Sequence, residues 1–148
     1  MLISAIGWLW AVGVIAEIIL FVFGARVVAR LGPSRLILLG GLAGTVRWTM
    51  TGQADGLAIL VAAQGLHAFT FAATHLGAIY FISRRIPQAV SASAQSVYSA
   101  VVMGLALGLA MFASGWLYDS LGAGAYHAMA ALAAAGAIMA IFLAANRR

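Results

Sequence analysis

The sequence predicts an all-α membrane protein with five transmembrane helices, and three observations carry that expectation. Of the 148 residues, 65% are hydrophobic and 7% charged, with a mean hydropathy of +1.08, too little polar surface for a water-soluble globule of this size. Apolar runs able to cross ~30 Å of hydrocarbon, about 20 residues at ~1.5 Å rise, recur along the whole chain. The basic residues, finally, collect in alternate connections instead of forming a stripe beside aromatics, which argues against a nucleic-acid partner despite the net charge of +5.

The first run covers approximately residues 5–24 and contains Glu17. Its opening, MLISAIGWLW, has no basic n-region, so it is expected to remain as a helix instead of being cleaved as a signal peptide. The connection GARVVARLGPSRL is read as a loop carrying Arg26, Arg30 and Arg35. A second run over about 36–52 contains Arg47, and a third over about 57–82 contains His67 and His75. Arg84 and Arg85 follow it, before a fourth run over about 94–117 and an Ala-rich fifth over about 123–145 that leads to Arg147 and Arg148. With five alternating helices, every arginine except Arg47 falls on one side, the cytoplasm by the positive-inside rule. The opposite connections hold Asp55 and Asp119. Residues 1–148 therefore read as one multi-pass domain of the cell (inner) membrane, with its N-terminus outside and its C-terminus inside.

Small residues four apart, Gly40 with Gly44 and Ala100 with Gly104 and Gly108, are expected to let helices of the same chain approach closely. An odd number of helices reads as an incomplete bundle, so a partner supplying the remainder is expected. Trp8, Trp10, Trp48, Trp116 and Tyr118 fall near outer helix ends, as an interfacial belt requires.

The chemistry lies in the polar groups at depth. Glu17 and Arg47 would each cost about 2.5–3.5 kcal/mol at a helix centre, so they are expected to face the bundle interior or a wet cavity. At ~1.5 Å per residue, Glu17 lies roughly 10 Å and Arg47 roughly 16 Å from the cytoplasmic end, an offset an extended arginine can bridge. A Glu17–Arg47 pair is the expectation. Gln64, His67, Thr70 and Thr74 make one polar stripe on the third helix, with His75 bordering it at about 80°. Gln95, Tyr98 and Ser99 make another on the fourth, so two helices offer polar faces to a shared cavity. Trp48 could present its ring to an aromatic ligand there. His127 reads as interfacial.

No H-E-x-x-H, G-x-S-x-G, phosphate-cradling glycine loop or paired carboxylates occur, and there is no cysteine. An enzyme is therefore not expected, nor any cofactor or metal. The cavity reads as a place to bind and move a solute.

The residues IGWLWAVGVIAEIILF, VRW, QGLHAFTF with His75 and Leu76, and QSVYSAVVMG resemble the major facilitator superfamily, in particular the C-terminal half of its 3-phenylpropionate permease branch and, more distantly, lactose permease. The resemblance covers nearly the whole chain. It implies that the five segments correspond to helices eight to twelve of a twelve-helix transporter, with the seventh helix and the N-terminal half absent. GARVVARLGPSRL is similar to the superfamily's cytoplasmic loop signature, keeping Arg30 and Gly32 but having Ala29 for its acidic residue and Pro33 and Ser34 for its basic pair. Glu17 is similar to a substrate-contacting glutamate of helix eight, and Arg47 and His67 to an arginine and a histidine of helices nine and ten. Thr70 and Gln64 stand where lactose permease carries its proton-bearing glutamate and a lysine, which argues against that relay and leaves Glu17 as the deep carboxylate able to take up a proton.

The function these readings imply is proton-coupled symport of a small organic solute, an aromatic or other carboxylic acid, by alternating access. Arg47 would attract the carboxylate, Glu17 would couple the proton, and His67, Gln64, Tyr98, Gln95 and Trp48 would position the solute. The partners are then the bilayer, solute, proton and missing N-terminal half. The alternative is a non-transporting membrane interaction or assembly protein, or an inactive fragment.

Overall fold

The computed structural model describes residues 3–145 and is helical throughout them apart from short connections, with no strand among the described residues. α1 (Ile3–Val22) leads through a single residue into α2 (Gly24–Leu31), followed by α3 (Pro33–Gly52), α4 (Leu57–Gly65) and α5 (Thr74–Arg85). Then come α6 (Gln88–Ser99), α7 (Leu107–Leu121) and α8 (Ala125–Ala145). Two stretches with wide π turns join elements end to end: Phe69–Ala73 feeds α5, and Ala100–Ala106 connects α6 to α7. Arg147 and Arg148 lie outside the described residues.

The segment read as a loop is a helix. GARVVARL places Val28 on its inner face and Arg26 and Arg30 on its exposed one, an amphipathic pattern. Val28 packs with Leu36 and Ala73, all but fully buried, while Leu20, Val27 and Leu76 close around them. Gly32, at φ 78°, then turns the chain by 103° into α3. Only glycine takes that conformation at little cost, and Pro33 pre-sets the first turn of α3.

α3 is the hub. It packs along α8 on one side and against α4, the π turn and α5 on another. Its glycines set the spacing: a Cβ on Gly41 would lie 2.8 Å from the Ala137 backbone, one on Gly44 3.0 Å from Ala133 Cβ, and one on Gly40 would overlap the Thr74 hydroxyl. Backbone approach of this kind is the main source of helix association in lipid, where burial of apolar surface gives no drive. The threonine hydroxyls of α3 are satisfied within the helix, Thr45 donating to Gly41 O, Thr49 to Thr45 O and Thr51 to Arg47 O.

The Ala100, Gly104 and Gly108 row does not pack inside the chain as expected. A Cβ on Gly104 or Gly108 would meet nothing within 4 Å, and α7 buries none of its residues. The row is free because Ala100–Ala106 touches chiefly its own flanking helices and α7 stands off from α3 and α8 along most of its length.

Three helical stretches are long and apolar enough to cross a membrane: Ser4–Val22, Leu57–Arg85 and Gln88–Ala145. Gly24–Leu31 with Pro33–Gly52 passes only as a bent pair, giving four where the sequence predicts five. Gln88–Ala145 is 58 residues long, ~87 Å if straight and far more than ~30 Å of hydrocarbon. It breaks at Gly122, where φ is 55°, and folds back: Tyr118 and Tyr126 meet edge to face at 6.0 Å, while Leu107 shares a cavity wall with Ala133 and Gly136. This chain is a multi-pass membrane protein.

Candidate functional site

α4 lies between α1 and α3, and the polar groups of all three meet there. Trp10, Val14 and Glu17 come from one face of α1, Arg47 from α3, and Gln64 and His67 from the helix after Leu57; together they line a cavity of about 250 Å³. Arg47 and His67 also line a larger cavity of about 540 Å³, walled by Trp48, Phe71, Leu107 and Gly136. The Arg47 and His67 side chains thus stand between the two spaces.

The pairing differs from the expected one. Glu17 Oε2 is 3.5 Å from His67 Nε2, with the two side chains 20% and 28% exposed. Arg47 Nη2 donates to Gln64 Oε1 at 3.3 Å. The intervening helix explains the exchange, because Gln64 and His67 occupy the gap an Arg47–Glu17 contact would have to cross. Among the described residues Arg47 has no carboxylate partner, and of its five N–H donors the side-chain hydrogen bond to Gln64 engages one. Its guanidinium carbon also lies 4.5 Å from the centroid of Trp48, a cation–π contact. Thr70 Oγ1 stands 3.5 Å from His67 Nδ1 and donates to His67 O at 3.1 Å. A His67 tautomer protonated at Nε2 donates to Glu17 and leaves Nδ1 facing that hydroxyl.

Other expected members are placed elsewhere. Gln95 donates to Ser91 on its own helix at 3.2 Å, and Tyr98 lies against His75 at 6.0 Å; neither lines the two cavities. The π turn accounts for the position of His75. Eight residues on an α-helix overshoot two turns by about 80°, and a wide turn absorbs the one extra residue. His67, Phe71 and His75 therefore stack in a single row, at 5.8 and 6.1 Å, and His75 reaches α6 instead of bordering the cavity. Its Nδ1 is buried without a hydrogen-bond partner.

Gly13 belongs to the site although no motif marks it. A Cβ there would stand 3.0 Å from Gln64 Oε1 and 3.4 Å from His67 Cδ2, so the absence of a side chain lets both polar groups approach α1. Its signal in the sequence is spacing: Trp10, Gly13, Val14 and Glu17 fall three and four apart, on one helix face.

Known proteins are similar to this sequence. The chain is 37% identical over 130 residues to the "Probable 3-phenylpropionic acid transporter" of Escherichia coli (strain K12), a match covering 88% of this chain and 34% of that protein. It is 29% identical over 117 residues to the "Uncharacterized transporter YwbF" of Bacillus subtilis (strain 168), covering 79% of this chain and 29% of that one. The chain thus spans about a third of the length of these curated relatives. No solved structure matches it. The profile of the MFS_1 like family matches residues 3–129. The all-helical architecture, the glycine-closed seams around α3 and the sequence match agree, and the chain belongs to the MFS_1 like family.

Proposed function

We propose that this chain is the C-terminal part of a secondary transporter that moves a small carboxylic acid, aromatic in the nearest reading, together with a proton. The observation that carries the proposal is the Arg47 guanidinium, which lies between two cavities with no carboxylate partner among the described residues, beside a Glu17–His67 pair. A cation kept at depth is stabilised when an anion reaches it. The names of the two relatives support transport.

In this reading the solute carboxylate binds Arg47, and Gln64 and Trp48 hold the guanidinium toward it. The apolar body of the solute extends along Phe71 and Trp48 in the larger cavity. Glu17, sharing a proton with His67, couples proton uptake to solute binding, and the cavity opens to one side of the membrane at a time. Gln88–Ala145 folds into two spans and α3 makes a span of its own, so five helices correspond to helices eight to twelve of the superfamily fold, with the N-terminus outside. The remaining helices complete the cavity. The alternative, a membrane assembly protein, draws on one observation, the unpacked Gly104 and Gly108 row, which runs from the Ala100–Ala106 stretch into α7.

The test is uptake of labelled 3-phenylpropionate by cells expressing the chain with the remaining transporter segments restored. Uptake that is abolished by Arg47→Gln and collapses with the proton gradient is expected; uptake indifferent to both would overturn the proposal.

A further inference from the structure

Arg47 and Trp48 are neighbours on one helix, where successive side chains diverge by about 100°, yet the guanidinium lies over the indole at 4.5 Å. Something beyond α3 holds the indole there. Trp48 stacks on Tyr126 of α8, with centroids 6.0 Å apart and planes inclined by 12°. Tyr126 is fixed in turn by Tyr118 of α7, edge-on at 6.0 Å, and by Gly52, where a Cβ would come within 3.1 Å of Tyr126 Cβ and push it by a few tenths of an ångström. The row Arg47, Trp48, Tyr126, Tyr118 crosses three helices without a break.

We infer that Tyr126 is a positioning residue for the Arg47 anion site: its ring fixes Trp48, and Trp48 fixes the guanidinium. The inference rests on the proposed function for its biological meaning but not for its geometry. A free arginine side chain has about 2 kcal/mol of rotamer entropy to lose on binding, and a site that has already restricted it binds an anion more tightly. Tyr126 therefore acts on solute affinity from α8, without touching the solute. Its hydroxyl plays no part, since both contacts use the ring.

The test needs no solute. In the full chain with Trp8, Trp10 and Trp116 replaced by Phe, Trp48 is the only fluorophore of its kind, and its quenching by iodide, an anion, is compared with quenching by neutral acrylamide. The guanidinium concentrates iodide at the indole, so wild-type Trp48 favours iodide, and Arg47→Gln removes that preference. Tyr126→Leu is expected to lower the iodide-to-acrylamide ratio by roughly twofold or more, while Tyr126→Phe leaves it unchanged. Tyr126→Ala, which removes the ring altogether, lowers it too and serves if the leucine variant does not fold. An unchanged ratio in a folded Tyr126→Leu or Tyr126→Ala variant overturns the inference, as does a wild-type Trp48 with no iodide preference. Failure of the transport reading is separate: 3-phenylpropionate uptake indifferent to Arg47→Gln refutes that reading and leaves the quenching result standing.

Discussion

Gly13→Ala is expected to weaken solute recognition while leaving the bundle folded. The new Cβ would stand 3.0 Å from Gln64 Oε1 and at 3.4 and 3.5 Å from two carbons of His67. The two histidine contacts are ordinary; the first requires the amide to move by roughly 0.3–0.5 Å to reach a normal separation. Gln64 ends in a flexible amide, so the amide rotates before the helices part. Its bond from Arg47, at 3.3 Å, is already longer than the usual 2.7–3.2 Å and does not survive the rotation. A hydrogen bond to a charged group contributes about 1.5–3 kcal/mol, which corresponds to a rise in KM of roughly 10- to 100-fold. Helix propensity works the opposite way, Ala being about 1 kcal/mol more favourable than Gly. The variant should thus melt no lower than wild type in detergent while its uptake of labelled solute falls. Gln64→Leu should reproduce the defect, and the double variant should be no worse than either single one, because both remove the same contact. Wild-type uptake by Gly13→Ala, or additive losses in the double variant, would refute the claim that Gln64 orients Arg47.

Three further outcomes follow from the same geometry. Combining Glu17→Gln with Arg47→Gln should not restore the uptake that each change removes, since their partners are His67 and Gln64; recovery in a transport assay would instead indicate a direct pair. Gly41→Val places atoms where the Ala137 backbone already stands at 2.8 Å, so thermal unfolding should reveal a loss of about 1–3 kcal/mol, whereas Gly108→Ala, with open space around it, should stay within about 0.5 kcal/mol of wild type. His75→Phe keeps the stack between Phe71 and Tyr98 and removes the unpartnered Nδ1; its melting temperature should hold or rise, and a clear fall would mean that Nδ1 has a partner.

Much of this architecture is legible in the sequence because membrane helices announce themselves by length and apolarity, and because charge is too costly at depth to be incidental. Glu17, Arg47, Gln64 and His67 stand out on those grounds, and the structure brings all four to one cavity. Their pairing is not legible: axial offsets place Glu17 and Arg47 within reach, but no periodicity tells which helix intervenes. The π turn at Phe69–Ala73 is equally hidden, since FTFAA has no marker residue, and it brings His75 into one row with His67 and Phe71. α2 could have been found, because Val27, Val28 and Leu31 against Arg26 and Arg30 make an amphipathic turn and a half. The glycines divide for a different reason. Gly40 and Ala100 carry the same spacing signal, and only the position of the neighbouring helix decides which row is filled.

The seam between α3 and α8 also sets an order of events in the making of the protein. Roughly seventy residues separate Gly52 from Ala125, so at about 5–20 residues per second α3 waits on the order of 4–15 s before its main neighbour is synthesised. During that interval Gly41 and Gly44 lack their α8 neighbours, and Trp48 has no Tyr126 to stack on. The helix that carries the deep arginine thus depends for its seat on a helix synthesised well after it.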